Sequence, residues 1–171
     1  MPASIILIGL PGAGKTVVGK ELAKKFDFSF LDTDYLIEEL EGYSISEIFE
    51  IKGEVYFRDL ETSVIKSLLG VKNKVISIGG GAFEREENRN LLKQIGNVVY
   101  LKASVDTIYD RIKNAIGRPL LACDNPKQKL NELYVKRHPQ FKEADYVIDT
   151  SDITIYNVIE ELQRIINAKN S

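Results

Sequence analysis

The residues Gly9-Leu10-Pro11-Gly12-Ala13-Gly14-Lys15-Thr16 follow the spacing G-x-x-x-x-G-K-[ST], which restricts fold and ligand together. The apolar run Ile5-Ile6-Leu7-Ile8 before it reads as a buried parallel strand, and a helical stretch follows it. Glycine opens backbone conformations closed to other residues, so successive N–H groups can point inward at phosphate oxygens. The helix behind aims its positive end at the same place. Lys15 is then expected to reach the outer phosphates, and the Thr16 hydroxyl to ligate Mg²⁺. A glycine turn serving packing alone would not need Lys-Thr at the helix start. The expectation is a nucleoside triphosphate held by Gly12, Ala13, Gly14, Lys15, Thr16 and Val17.

Short apolar runs alternate with amphipathic stretches along the whole chain. Strands are expected at 4–8, 28–31, 74–78, 97–101 and 146–148, with helical spacing between them, as in Val105, Ile108, Tyr109, Ile112. Gly70 and Gly96 fall where helices should stop. The pattern predicts an α/β fold of three layers, a five-stranded parallel sheet with helices on both faces, in one domain spanning 1–171. Its ligand should lie beyond the carboxyl ends of the strands. Two segments depart from simple alternation. Asp34 to Gly70 holds two or three helices where one crossover would suffice, which suggests a flap. Asn114 to Pro126, with Gly117, Pro119 and Pro126, has the composition of a loop or lid.

Charge excludes some partners. With 23 basic and 25 acidic residues there is no cationic excess, so no nucleic-acid partner is expected. The single cysteine, Cys123, permits no intrachain disulfide and suits a reducing cytoplasm, and the single histidine, His138, excludes a multi-histidine metal site. No apolar segment is long enough for a bilayer and no signal peptide is visible, so no membrane partner is expected.

A second tier of residues carries chemistry. Asp32 and Asp34 follow the second strand; in an extended segment both would face the phosphates, one toward Mg²⁺ and one toward an acceptor. Helix capping is the competing reading, favoured for Thr33 and not for the aspartates. Arg58 and Glu61, three residues apart at the border of the apolar helical stripe Phe57, Leu60, Val64 and Leu68, are either a surface ion pair or an arginine fixed to grip an anion. Gly79-Gly80-Gly81 at the end of the third strand suggests backbone facing a substrate. Arg118, in the lid segment, can stabilise charge developing during transfer; Arg111 could stack on a base; Arg137, in an Arg-His-Pro run that interrupts a helical segment, is a second candidate clamp.

Together these motifs resemble the shikimate kinase family over nearly the whole chain. They are the phosphate loop, Asp32-Thr33-Asp34, Phe57-Arg58 with Glu61, Gly79–Gly81, Arg118-Pro119-Leu120-Leu121, and Arg137 with Pro139. The resemblance implies a P-loop kinase fold with a shikimate-binding flap at 33–61 and a lid at 113–125. It implies ATP-dependent phosphorylation of the shikimate 3-hydroxyl by a cytoplasmic monomer using ATP and Mg²⁺. Lys15, Asp34 and Arg118 would be catalytic, with Asp34 taking the proton of the attacking hydroxyl. Thr16 and Asp32 would organise the metal. Asp34, Arg58, Gly79, Gly80, Gly81 and Arg137 would hold shikimate, while Arg111 and Arg118 would join the loop in holding ATP. The sequence departs from the family pattern at Ile78, where threonine is common, at Phe141, where tyrosine is usual, and at 150–153, which lacks a proline. A kinase of gluconate or another small acceptor, or a regulatory ATP-binding module, are the competing readings.

Overall fold

The computed structural model describes residues 3–115 and 123–170. In chain order these form β1 (Ser4–Ile8), α1 (Lys15–Phe26), β2 (Ser29–Asp32), α2 (Thr33–Glu41), α3 (Ile45–Lys52) and α4 (Glu54–Ser67). Then follow β3 (Lys74–Ser77), a 3₁₀ turn (Ala82–Glu84), α5 (Glu86–Ile95), β4 (Gly96–Lys102), α6 (Val105–Ile112), α7 (Pro126–Phe141), β5 (Tyr146–Asp149) and α8 (Ile155–Asn170). The strand order is β2-β3-β1-β4-β5, and the four pairings are parallel. Each expected strand is present, shifted by at most one residue at an end. The expected helix stops are both met, since α5 ends against Gly96 and α4 ends just ahead of Gly70.

β1 is buried along its whole length because helices cover the sheet on both sides. Ile6 and Ile8 join Ile76, Val98 and Tyr100 in one core layer. Ile5 and Leu7 join Val75, Val99 and Leu101 in the other, beneath α1 and α8. After β1 the chain crosses to the edge strand β2, returns to β3, then passes β1 to β4 on its other side. That reversal leaves a crevice at the carboxyl ends of β1 and β3, where loops from the two halves diverge.

The segment after β2 contains three helices, as its composition suggested. α2 stops at Gly42; α3 opens with a reciprocal Ser44–Glu47 capping box and stops at Gly53. A separate apolar cluster of Ile37, Ile48, Phe57 and Val64 holds α2, α3 and α4 together. One expectation about α7 is corrected. The Arg137-His138-Pro139 run does not interrupt it, because Pro139 lies in its final turns and the helix continues to Phe141.

Candidate active site

The phosphate loop leaves β1 with Gly12 at φ 84° and Gly14 at φ 93°, left-handed conformations that strain any residue with a Cβ. Ala13 N–H donates to Leu10 O at 3.0 Å and its methyl is buried, so the loop closes as a tight ring above the core. Gly14 caps α1 and brings no side chain, which leaves the first N–H groups of the helix for a ligand. Lys15 Nζ donates to Gly9 O at 2.7 Å and Leu10 O at 3.2 Å across the loop mouth. A cavity of about 370 Å³ opens here. Its walls include Gly12, Lys15, Thr16 and Val17 from the loop and helix, Asp32 and Asp34, Gly80, and Arg111. A larger groove of about 560 Å³ shares Thr16 and Asp32 but otherwise runs along α1, β2 and α2. The smaller cavity is the one that joins the chemistry-bearing groups.

The two aspartates reach this cavity by a route different from the expected one. They do not alternate along one extended segment, because α2 already begins at Thr33. Asp32 ends β2 and caps α2, its Oδ1 accepting from Asp34 N–H at 2.9 Å and Tyr35 N–H at 3.3 Å. Asp34 projects from the first helical turn. Thr33 is not the cap. Its buried hydroxyl donates to Ser77 O at 3.3 Å and accepts from Gly79 N–H at 3.2 Å, tying α2 to the segment after β3.

That segment gathers four charged side chains. A Cβ at Gly79 would overlap Asp34 Oδ1 and stand 3.2 Å from Glu61 Oε1. One at Gly80 would stand 2.8 Å from an Arg137 terminal nitrogen, and one at Gly81 would overlap the Arg58 guanidinium. Three glycines therefore let Asp34, Glu61, Arg58 and Arg137 crowd onto one strip of backbone. Arg58 donates to Glu61 Oε2 at 2.8 Å. Burial works against the Arg58 charge, but the bond and charge of Glu61 hold its pKa above the ordinary value. Burial pushes Asp34 up to about 6, with the Asp32 charge adding to the rise and Lys15 and Arg58 opposing it. Burial likewise raises Glu61 to about 7, against the pull of Arg58.

Arg137, on α7, is almost wholly buried and donates from Nε to Glu84 Oε1 at 2.8 Å. Arg111 donates to Thr150 O at 2.8 Å and, more weakly, to Ala13 O at 3.4 Å, bridging β5 to the phosphate loop. Arg118 lies outside the described residues. Glu84 escapes a reading of the sequence because it stands far from Arg137 along the chain, with an acidic residue just after the glycines as its one trace. Among the described residues there is no cluster of three or more His, Cys, Asp or Glu side chains able to hold a metal.

The family model for shikimate kinase matches residues 11–167. The chain belongs to the shikimate kinase family. A shikimate kinase from Thermodesulfovibrio yellowstonii is 44% identical over 170 residues, covering 97% of this chain and 98% of that protein. One from Caldanaerobacter subterraneus is 43% identical, covering 94% of each chain. The structure of a shikimate kinase from Acinetobacter baumannii in complex with shikimate superposes with a TM-score of 0.92 at 40% identity, over 99% of this chain and 95% of that one. The parallel sheet and P-loop kinase fold are those of the family, and the protein is a kinase. Of the departures from the shikimate kinase pattern, Phe141 is fully buried against Tyr100 and Phe83, where a hydroxyl would need a partner. Ile78 is buried in the same layer. No helix among the described residues is long and apolar enough to cross a membrane.

Proposed function

We propose that the chain transfers the γ-phosphoryl group of ATP to the 3-hydroxyl of shikimate, giving shikimate 3-phosphate and ADP. The observation that carries this reading is the convergence of Asp34, Arg58 and Arg137 on Gly79–Gly81, beside the phosphate loop. Two guanidinium groups near each other suit a carboxylate, and a carboxyl between them and the phosphate loop suits a hydroxyl.

In this reading Arg58, Arg137 and the Gly79–Gly81 backbone hold the acceptor's carboxylate and ring. Asp34 bonds the ring hydroxyls and takes the proton of the attacking oxygen. Lys15 swings from its own loop carbonyls to the triphosphate and, with Arg118, supports the phosphoryl group in flight. Arg111, which lines the cavity, would stack on the base. Helices α2 to α4 form the shikimate flap at 33–61, and 113–125 is the lid. Family resemblance supports a cytoplasmic monomer.

Thr16 and Asp32 offer the hard oxygen donors that Mg²⁺ takes, and both line the cavity. The cap uses Asp32 Oδ1 and leaves Oδ2 outside it, so the carboxylate can serve both tasks. A bound Mg²⁺ would neutralise charge on the phosphates. Since it draws most of its ligands from phosphate and water, one carboxylate and one hydroxyl suffice.

ADP release tests the proposal. Turnover should require shikimate and Mg²⁺ together, and gluconate should not replace shikimate. Equal ADP release without any acceptor would leave only a nucleotide-binding module.

A further inference from the structure

Arg58, from α4, approaches Gly81 and Arg137, from α7, approaches Gly80, and each is held by a glutamate at 2.8 Å. The two pairs differ in which part of the guanidinium they occupy. Glu61 takes a terminal nitrogen of Arg58, and Glu54 lies 3.6 Å from the other. Glu84 takes Nε of Arg137, on the stem side of the group, while a terminal nitrogen points at Gly80. Arg137 thus spends Nε on Glu84 and turns a terminal nitrogen toward the glycine segment.

Glu84 is itself fixed. It sits in the 3₁₀ turn immediately after the glycines, and its backbone carbonyl accepts from Arg89 at 2.8 Å. Its second carboxylate oxygen lies 3.3 Å from Lys136 Nζ. Partial burial opposes its charge, but the bond and charge of Arg137, followed by those of Lys136, hold its carboxyl below the usual carboxylate range. Arg137 is an almost buried cation. Without Glu84 it would lose the anion that offsets its desolvation and the contact that sets its direction.

We propose that Glu84 is a positioning residue for the acceptor site: by engaging Nε it aims the forked edge of Arg137 at the carboxylate of shikimate. The inference rests on the reading of Arg137 as a carboxylate clamp. It gives the 3₁₀ turn a role, since that turn places the glycines and the aiming carboxylate on one rigid stretch.

The test is a kinetic double-mutant cycle of Glu84→Ala and Arg137→Ala, with Glu84→Gln as the variant of unchanged shape. Glu84→Ala should raise KM for shikimate roughly tenfold or more, with kcat and KM for ATP moving much less. Glu84→Gln, whose amide oxygen can still accept from Nε, should recover part of that loss. In the Arg137→Ala background, removing Glu84 should add no further loss, because its target is gone. Independent, multiplying effects on KM would overturn the proposal. So would Glu84→Ala lowering kcat and leaving KM unchanged. A normal KM in Arg137→Ala alone would instead refute the clamp on which the inference stands.

Discussion

The carboxyl of Asp34 lies so close to Gly79 that a Cβ at that position would overlap Oδ1. This contact places the proposed base against backbone and away from bulk water, which raises its pKa to about 6 from 3.8. The folded chain therefore holds this proton more tightly than the unfolded chain. The stability so contributed is complete below about pH 4 and is lost as pH rises through about 6. In metal-free, nucleotide-free protein, Asp34→Asn should stabilise the fold by roughly 2–3 kcal/mol near neutral pH. The gain should fade toward pH 4 while turnover is lost. Denaturant unfolding at several pH values reads the effect, and a pH-independent difference would contradict the burial of Asp34.

Alanine at two of the three glycines should give different kinetic defects. Gly79→Ala displaces Asp34, so kcat should fall most. Gly81→Ala displaces the Arg58 guanidinium, so KM for shikimate should rise most. Steady-state kinetics separate the two, and identical profiles would mean that the segment acts only as a turn.

Thr33 ties α2 to the glycine segment through one hydroxyl that both donates and accepts. Thr33→Val leaves the Gly79 N–H buried without that partner and should cost about 1–3 kcal/mol of stability. Thr33→Ser should retain most of it. Chemical denaturation measures both; a neutral valine would show that water replaces the hydroxyl.

Much of this was legible in the chain. The phosphate loop announced itself because only glycine tolerates its backbone, and the sheet because buried parallel strands read as apolar runs. Gly79–Gly81 was readable because three consecutive glycines are costly unless something approaches closely. The capping role expected of Thr33 belongs to Asp32, while the place of Asp32 beside the metal stays with the proposal. An aspartate before a helix reads alike as a cap and as a ligand, and the start of α2 could not be located to the residue. Glu84 was invisible because its partner arrives from α7, and such a pairing depends on tertiary structure alone.

Lys15→Ala should lower kcat by a factor equivalent to roughly 3–4 kcal/mol of transition-state stabilisation. Its ammonium donates to Gly9 O and Leu10 O within the loop, so an unfolding curve taken beside the kinetics separates a loss of fold from a loss of transfer. Stopped-time product assays would measure it, and an undiminished kcat would remove Lys15 from the transfer step.

The most direct measurement is to incubate the protein with ATP, Mg²⁺ and shikimate and to locate the new phosphate by phosphorus NMR. If the carboxylate grips and the phosphate loop serve one reaction, the phosphate appears on the 3-oxygen and ADP forms in equal amount. ADP without phosphorylated shikimate, or phosphate on a different hydroxyl, would contradict it.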